Sequence, residues 1–256
     1  MFEQALLEAV KASQRCVVLT GAGVSAESGI PTFRDSLTSL WALYDPTVLA
    51  SAEGFIADPS LVWGWYEWRR NAVLCADPNP AHVALAQLQH YLPKLTLLTQ
   101  NVDDLHERAG STTVQHLHGS LHAPRCIACS TAYTLPIVAS VIKAQPQRIE
   151  PPRCTVCAEF IRPGVVWFGE ALPSKVWFVA ERAIEHCDLL LCIGTSGLVY
   201  PVADLPHLAL RANATVVNIN SEASALDVKA TFNVRGKAGV VLPQLLSAAF
   251  HEDSVC

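Results

Sequence analysis

Four of the nine cysteines in the 256-residue sequence form two pairs with the spacing of metal ligands. Cys126 and Cys129 make the first C-x-x-C pair, and Cys154 and Cys157 make the second. Each pair can place two thiolates on one ion, and four thiolates complete a tetrahedron around zinc with no position left for a substrate. The spacing therefore predicts one structural zinc ion, with free or disulfide-bonded cysteines as the alternative.

A glycine-rich turn, GAGVSA at 21–26, follows the short apolar run at 16–20. It fits the G-x-G-x-x-G/A pattern, in which glycines allow backbone amides to approach a pyrophosphate. The acidic residue that usually follows about 20 positions later is not evident. Taken alone, the turn is compatible with a dinucleotide site or with a tight turn that binds nothing.

The longer sequence around this turn, GAGVSAESGIPTFRD at 21–35, resembles the signature of the sirtuin family. Further blocks resemble the same family in the same order: TQNVDDLHERAG at 99–110, HG at 118–119, RPGVVWFGE at 162–170 and GTS at 194–196. The resemblance spans nearly the whole chain. It implies an NAD-binding domain, a small zinc-binding domain and an NAD-dependent protein-lysine deacylase that releases nicotinamide and 2′-O-acyl-ADP-ribose.

The resemblance also implies roles for individual residues. His118 matches the general base that activates a ribose hydroxyl, which suits an imidazole that titrates near neutral pH. Asn101 and Asp103 would pair with the nicotinamide carboxamide, while Phe33 would shield the reactive carbon from water. We therefore expect His118 and Asn101 to be catalytic. The expected nicotinamide pocket comprises Ala22, Ile30, Phe33, Asn101 and Asp103.

Other NAD contacts are expected where further segments match the family. Gln100 matches a ribose contact, and the GTS block would meet phosphate or ribose. The segment 220–222 resembles one that binds the adenosine ribose, although it could be only a turn that ends a strand, and Ala238 resembles an adenine contact. The complete expected NAD site is Gly21, Ala22, Gly23, Ser25, Ala26, Ile30, Phe33, Arg34, Gln100, Asn101, Asp103, Gly194, Thr195, Ser196, Asn220, Ser221, Glu222 and Ala238.

Tyr66 and Arg69 lie three residues apart in a predicted helix, so they share one helical face. A phenol and a guanidinium together suit a carboxylate. In an arbitrary helix this pair would be a core tyrosine and a solvated arginine, but here it resembles the pair that marks sirtuins acting on succinyl, malonyl or glutaryl groups. Ala50 matches a small residue that leaves room for the longer acyl chain.

Proteins that carry acylated lysines are therefore the expected partners. The segment Val166, Trp167, Phe168, Gly169 and Glu170 matches the one that pairs with the substrate backbone, a mode of binding with little sequence preference. We expect removal of succinyl, malonyl, glutaryl and acetyl groups. The alternatives are a plain deacetylase, a protein ADP-ribosyltransferase, or an NAD-sensing module without turnover.

Strands and helices alternate along most of the chain, which predicts an α/β fold with a Rossmann-like parallel sheet and helices on both faces. We expect this domain at residues 1–42, 81–119 and 165–256, a helical insertion forming the acyl pocket at 43–80, and a zinc-binding module at 120–164. Predicted strands lie at 16–20, 95–99, 113–117, 188–193 and 215–219. Predicted helices lie at 3–13, 59–75, 80–91, 173–186, 202–212 and 240–249.

Composition narrows the classes of partner. The formal net charge of -5 argues against a nucleic-acid surface, which usually needs clustered Lys and Arg. No stretch approaches the roughly 20 uninterrupted apolar residues of a spanning helix, so membrane insertion and secretion are not expected. The prediction is a cytoplasmic protein, and the sequence leaves its oligomeric state open.

Overall fold

The computed structural model describes residues 2–31, 49–136 and 145–250. Its main domain is built on a parallel six-stranded sheet with the order β3-β2-β1-β6-β7-β8. Because strand order reverses between β1 and β6, a ligand crevice is expected at the carboxyl ends of these two strands. The eight strands of the described residues are β1 (Cys16–Thr20), β2 (Leu95–Thr99), β3 (Val114–His116), β4 (Arg125–Cys126), β5 (Ile161–Arg162), β6 (Leu189–Ile193), β7 (Thr215–Asn220) and β8 (Phe232–Arg235).

Helices cover both faces of this sheet, as the sequence predicts. In the described part of the chain, none of them is long and apolar enough to cross a membrane. Short 3-10 helices occupy Ala22–Val24, Ala26–Ser28 and Val202–Asp204. The α-helices are α1 (Gln4–Ala12), α2 (Ala52–Ala57), α3 (Pro59–Cys75), α4 (Pro80–Tyr91), α5 (Leu105–Arg108), α6 (Ser174–Glu185), α7 (Leu205–Arg211) and α8 (Ala238–Phe250).

Two apolar cores lie on opposite faces of the sheet. Leu85 of α4 and Leu242 of α8 belong to the first core, together with residues of α1. Ile184 of α6 and Ala209 of α7 belong to the second. Strands β1 and β6 are buried at every position, because central parallel strands are covered on both sides. These cores fix the strand ends that carry the candidate site.

Helix α3 begins where the sequence predicts. The Asp58 side chain accepts a hydrogen bond from the first turn, and Pro59 occupies the first helical position, where no amide donor is needed. Arg148 forms an ion pair with Asp58. At Gly64 a Cβ atom would lie 1.8 Å from the Gln147 carbonyl oxygen, so only glycine permits this close approach. The helix is thus tied to the chain that leads into β5.

The two predicted insertions share a third core. Phe55 of α2 and Trp63 of α3 lie in the same buried cluster as Cys126 of β4 and Ile161 of β5. β4 and β5 form an antiparallel pair of two residues each. The acyl-pocket insertion and the zinc-binding module therefore stabilise one another, and the domain limits given above stay a prediction.

Three strands were missed by the sequence analysis. β8 lies at the sheet edge and is half-buried at alternate positions, so it lacks the continuous apolar run that identified the other strands. β4 and β5 are too short to give any periodic signal. The predicted helix at 202–212 begins as a 3-10 turn and becomes α-helical at Leu205.

Candidate active site and metal centre

The glycine-rich turn after β1 lies against the loop after β6, at the reversal of strand order. Gly21 N donates to Ile193 O at 3.0 Å, and Gly23 N donates to Gly194 O at 2.9 Å. A Cβ atom on Gly23 would lie 2.8 Å from the Gly194 Cα, so the two loops could not approach so closely without glycine. The predicted phosphate-binding loops therefore form one continuous wall of the crevice.

Side-chain hydrogen bonds connect the ends of β2 and β7 to these loops. Gln100, after β2, donates from Nε2 to Thr195 Oγ1 at 2.8 Å. Asn220, at the end of β7, donates from Nδ2 to the Thr195 carbonyl at 2.8 Å. Glu27 accepts a hydrogen bond from Gly239 N in the first turn of α8 at 2.8 Å. These bonds bring the expected NAD residues of four segments to one edge of the sheet, with Ala238 beside them.

Ser25 is the centre of a buried polar cluster behind this edge. Its hydroxyl donates to Asp103 Oδ2 at 3.0 Å and accepts from Asn101 Nδ2 at 3.0 Å. His82 Nε2 lies 3.5 Å from the same oxygen. Asn101 and Asp103 are 7% and 5% exposed, so the cluster holds two residues of the predicted nicotinamide pocket in fixed orientations.

His82 contributes to this cluster as a neutral imidazole. Its Nδ1 accepts a hydrogen bond from Asn79 N at 3.2 Å, so the proton of the neutral ring is on Nε2, facing Ser25. Burial lowers the pKa of His82 to about 4. Burial also raises the pKa of Asp103, against the opposing hydrogen bonds from Leu105 N and the Ser25 hydroxyl. The cluster thus combines neutral donors, among them the imidazole of His82, with one carboxyl group.

His118 is held in one tautomer by the backbone. Its Nδ1 lies 3.1 Å from the Gln100 carbonyl oxygen, which can only accept, so Nδ1 carries the proton and Nε2 can act as a base. Burial lowers the pKa of His118, although the Gln100 carbonyl acts in the opposite direction. Gly119 has φ +74°, and a Cβ there would lie 2.2 Å from the Gly164 carbonyl oxygen, so the residue after His118 must be glycine.

Three consecutive residues, 166–168, connect His118 to the helical insertion. Two of the connections are backbone amides, and the third is an indole N–H. They place the predicted substrate segment between the predicted base and the predicted acyl pocket. The bonds run from Val166 N to His118 O (2.8 Å), from Trp167 Nε1 to Tyr66 Oη (3.1 Å) and from Phe168 N to Ala50 O (2.9 Å).

Tyr66 and Arg69 both pack on Trp65. The Tyr66 ring meets it edge to face at 4.6 Å between centroids, and Arg69 Cζ lies 4.9 Å from the Trp65 ring centroid. Burial raises the pKa of Tyr66 to about 12, although the charge of Arg69 acts in the opposite direction. Burial lowers the pKa of Arg69, opposed by Tyr66 and Asp103. A neutral phenol therefore lies beside a guanidinium, which stays charged in proteins.

Glu170, a predicted substrate contact, has its partners inside the protein. Arg162 pairs with both of its carboxylate oxygens, and Trp167 N donates to Oε2 at 2.9 Å. Burial alone would raise the pKa of Glu170, but these bonds and the charge of Arg162 lower it overall. The amides of Val166, Trp167, Phe168 and Glu170 all bond internally, which among the described residues leaves the Gly169 amide of this segment without a partner.

The four cysteines of the two C-x-x-C pairs come together as the sequence predicts. Their sulfur atoms all lie within 4.8 Å of one another. Cys126 Sγ is 3.4 Å from Cys157 Sγ, and Cys129 Sγ is 3.6 Å from Cys154 Sγ. A tetrahedral zinc ion with Zn–S bonds of about 2.3 Å requires sulfur separations of roughly 3.8 Å. The donor set and its spacing fit one zinc ion with no open coordination position.

Both cysteine pairs use the same turn. Ser130 N bonds to Cys126 O at 3.1 Å, and Ala158 N bonds to Cys154 O at 3.0 Å. Ser130 and Ala158 both have positive φ, at 58° and 63°. Backbone amides also approach the sulfurs, from Cys129 N to Cys126 Sγ at 3.5 Å and from Val156 N to Cys154 Sγ at 3.4 Å. The repeated turn aims two thiol groups at one point.

Several expected site residues are less tightly held. Phe33 and Arg34 lie outside the described residues. Ala22 and Ala26 are exposed on the glycine-rich turn, and Ile30 packs against the core of the insertion. Ser196 Oγ accepts from Leu198 N at 3.3 Å. Ser221 and Glu222 are exposed after β7, where the Glu222 carbonyl accepts from Arg235 Nη1 at 2.8 Å.

His82 was not predicted as part of the site, and Trp167 was predicted only as a member of the substrate-pairing segment, without its contact to Tyr66. A signal for His82 was available, because the third residue of a helix that begins Asn79-Pro80 can return its side chain to the capping residue. Trp167 gave no such signal, since its partner Tyr66 is 101 residues away along the chain.

Comparison with known proteins gives a consistent result along the chain. The model of the Sir2 family matches residues 21–201. An NAD-dependent protein deacylase of Methylococcus capsulatus is 57% identical over 250 residues, covering 96% of this chain and 97% of the relative. A solved Sir2 homolog–NAD complex is 43% identical, with a TM-score of 0.90, covering 97% of this chain and 94% of the other. A structure of Sir2 bound to acetylated peptide is 30% identical, with a TM-score of 0.84, covering 97% and 98%.

Proposed function

The chain belongs to the Sir2 family and is an NAD-dependent protein deacylase, and on this premise we propose that it removes succinyl as well as acetyl groups from lysine. Malonyl and glutaryl groups carry the same terminal carboxylate and belong to the same proposed substrate class. The proposed acyl pocket consists of Ala50, Tyr66 and Arg69. The observation that carries the proposal is a neutral phenol beside a guanidinium, reached from the segment that bonds to His118.

The nicotinamide end of the proposed site is the buried cluster around Ser25. NAD supplies the ribose carbon that accepts the acyl group and the nicotinamide that leaves. Asn101 and Asp103 would hold the carboxamide of that nicotinamide, since Ser25 already fixes both side chains. Their burial keeps water out and strengthens each hydrogen bond with the ligand. Phe33, outside the described residues, is proposed to complete the shield.

His118 is the proposed general base of the reaction. Its Nε2 would take the proton of a ribose hydroxyl, because Nδ1 keeps its own proton on the Gln100 carbonyl. The lowered pKa of His118 leaves the ring neutral, and hence able to accept a proton, at physiological pH. Gln100 is held by Thr195, so the ribose and phosphate loops and the base share one hydrogen-bonded framework.

The substrate backbone is proposed to lie along residues 166–170. Since four amides of this segment bond within the protein, an extended peptide would pair with the Gly169 amide and with carbonyl oxygens of the segment. Such pairing holds the peptide without reading its side chains. The acylated lysine would then enter between His118 and the helical insertion. This arrangement suits proteins of varied sequence as substrates.

Tyr66 and Arg69 would select the acyl group. A guanidinium can hold a carboxylate through two parallel hydrogen bonds, and the phenol can add a third. Ala50 would leave space for the added carbons of a succinyl chain. The acetyl group needs neither donor, so it would be accepted as well. A plain deacetylase would differ in making no use of these two side chains.

A nicotinamide-release panel tests this proposal. Peptides with one sequence and one lysine, carrying acetyl, malonyl, succinyl or glutaryl, are assayed with NAD, with the unmodified peptide as the control. We expect NAD-dependent release with acetyl and with all three acidic groups. Release with acetyl alone would contradict the acidic-acyl proposal. ADP-ribose attached to protein, detected by mass spectrometry, would indicate a transferase instead.

A further inference from the structure

Trp167 is the residue through which the substrate segment reaches the acyl pocket. It is 2% exposed, and its indole N–H donates to Tyr66 Oη at 3.1 Å. The amides of the neighbouring residues, Val166 and Phe168, bond to the backbone carbonyls of His118 and of Ala50. The indole thus forms a direct hydrogen bond with a side chain of the predicted acyl pocket.

The direction of this hydrogen bond matters for Tyr66. An indole N–H can only donate, so the phenol oxygen accepts, and the phenol proton must point to a different acceptor. The hydrogen bonds of the described residues include no acceptor for that proton. The Tyr66 ring is itself fixed against Trp65. Because the indole N–H occupies one lone pair of Tyr66 Oη, the directions in which the Tyr66 phenol proton can point are restricted.

Polar and aromatic contacts both hold the side chain of Trp167 in place. The guanidinium carbon of Arg162 lies 3.5 Å from the Trp167 ring centroid, and Arg162 is only 6% exposed. Glu170 pairs with Arg162 and accepts from Trp167 N. The indole also lies 5.4 Å from the Phe55 ring, measured between centroids. An ion pair and an aromatic ring thus fix the orientation of the indole.

We propose that Trp167 is a positioning residue for acyl specificity, which orients the Tyr66 hydroxyl toward the carboxylate of an acidic acyl group. This inference rests on the proposed function of the acyl pocket. A succinyl carboxylate offers the phenol proton an acceptor that the described residues do not supply, whereas an acetyl group ends in a methyl. Trp167 therefore acts on one substrate class through Tyr66 and has no corresponding action on the other.

Trp167→Phe removes the indole N–H and keeps an aromatic ring against Arg162. The quantity to measure is the kcat/KM for a succinyl peptide divided by the kcat/KM for the matched acetyl peptide. We expect this ratio to fall about two- to fivefold, the range of a neutral hydrogen bond that is only partly lost. If the substitution weakens the packing of residues 166–170 in general, kcat/KM falls for both peptides by the same factor, and the ratio does not change. Trp177→Phe, on α6 at the second core of the main sheet, should leave the ratio unchanged.

A double-mutant cycle with Tyr66→Phe makes the test specific. If Trp167 acts through the Tyr66 hydroxyl, Trp167→Phe should not change the ratio further in a chain that already carries Tyr66→Phe. An unchanged ratio in the Trp167 single variant, or an equal fall with and without the hydroxyl, overturns the inference. If Tyr66→Phe still lowers the ratio in that case, the proposed function stands. Wild-type protein inactive on succinyl peptide would instead remove the proposed function, and the inference with it.

Discussion

The proposed reaction centre and the proposed acyl pocket are built in different ways. The reaction centre, defined here as Ser25, Asn101, Asp103 and His118, takes its groups from separate loops that meet at one edge of the parallel sheet. In the acyl pocket, Tyr66 and Arg69 come from a single turn of α3, and Ala50 lies just before α2. One region is assembled by the whole fold and the other by a short insertion.

This difference predicts that chemistry and specificity can be changed separately. Groups in the reaction centre bond to each other or to the backbone, so altering one should affect every acyl substrate. Groups in the acyl pocket would contact only the end of the acyl chain, so altering one should change the preference between substrates. Among the described residues, the two regions are linked by the hydrogen bonds of Val166, Trp167 and Phe168 and by the electrostatic attraction between Arg69 and Asp103.

His118→Tyr should produce the largest effect. The change removes the proposed base, and general-base catalysis contributes roughly 10²- to 10⁴-fold in rate. Turnover of acetyl and succinyl peptides should therefore fall together by at least about 100-fold, measured as nicotinamide release. NAD affinity and the unfolding temperature should change little. Substantial turnover on either peptide would remove His118 from its proposed role.

Loss of zinc should also affect both substrates equally. Cys126→Ser removes one of four ligands, and structural zinc supplies folding free energy directly. We expect metal analysis to find one zinc ion per wild-type chain and little in the variant, with a lower unfolding temperature. Cys187→Ser, a buried cysteine outside the cluster, is the matched control and should retain zinc. A wild-type protein without zinc would contradict the predicted site.

Tyr66→Phe should have a smaller and selective effect. It removes a neutral donor and keeps the buried ring against Trp65. Such a hydrogen bond contributes about 0.5–1.5 kcal/mol, so the succinyl-to-acetyl ratio of kcat/KM should fall roughly three- to tenfold. Steady-state kinetics on matched peptides measure this ratio. Equal losses on both peptides would mean that Tyr66 only supports the fold.

The pH dependence should separate the two regions without any substitution. The pKa of His118 lies below the ordinary value of about 6.5, so kcat/KM on both peptides should decline only as pH falls below that value. Tyr66, with a pKa near 12, stays neutral, and arginine stays charged over the same range. The succinyl-to-acetyl ratio should therefore be constant between about pH 6 and 9. If the succinyl-to-acetyl ratio changed over the acidic pH range in which kcat/KM declines, His118 would also contribute to the choice of acyl group.

Much of the fold could be predicted from local signals. Asp58-Pro59 and Asn79-Pro80 predicted the first residues of α3 and α4, because capping chemistry is encoded in adjacent residues. The central strands are long apolar runs that remain recognisable in isolation. β8 was missed because an edge strand needs only one buried face, and such a pattern is weak over four residues.

The site was predictable where its groups lie close together in sequence. The two C-x-x-C pairs indicated their ligand role by spacing alone. By contrast, the hydrogen bond between Trp167 and Tyr66 depends on tertiary structure, as does the orientation of Ser25 by Asn101 and Asp103. Glu170 matched a substrate segment by resemblance, yet its carboxylate is paired with Arg162. Partners that are distant in sequence leave no spacing from which to infer them.

The most direct measurement is the effect of Arg69→Met on matched succinyl and acetyl peptides. A hydrogen bond to a charged group contributes about 1.5–3 kcal/mol, so kcat/KM for the succinyl peptide should fall roughly 10- to 100-fold. The acetyl rate should change far less, because an acetyl group has no carboxylate. Arg148→Met, at an exposed arginine that pairs with Asp58 at the start of α3, should change both rates by the same small factor and leave their ratio unchanged. Equal losses on the two peptides after Arg69→Met would show that this arginine is only structural, and would contradict the acidic-acyl account.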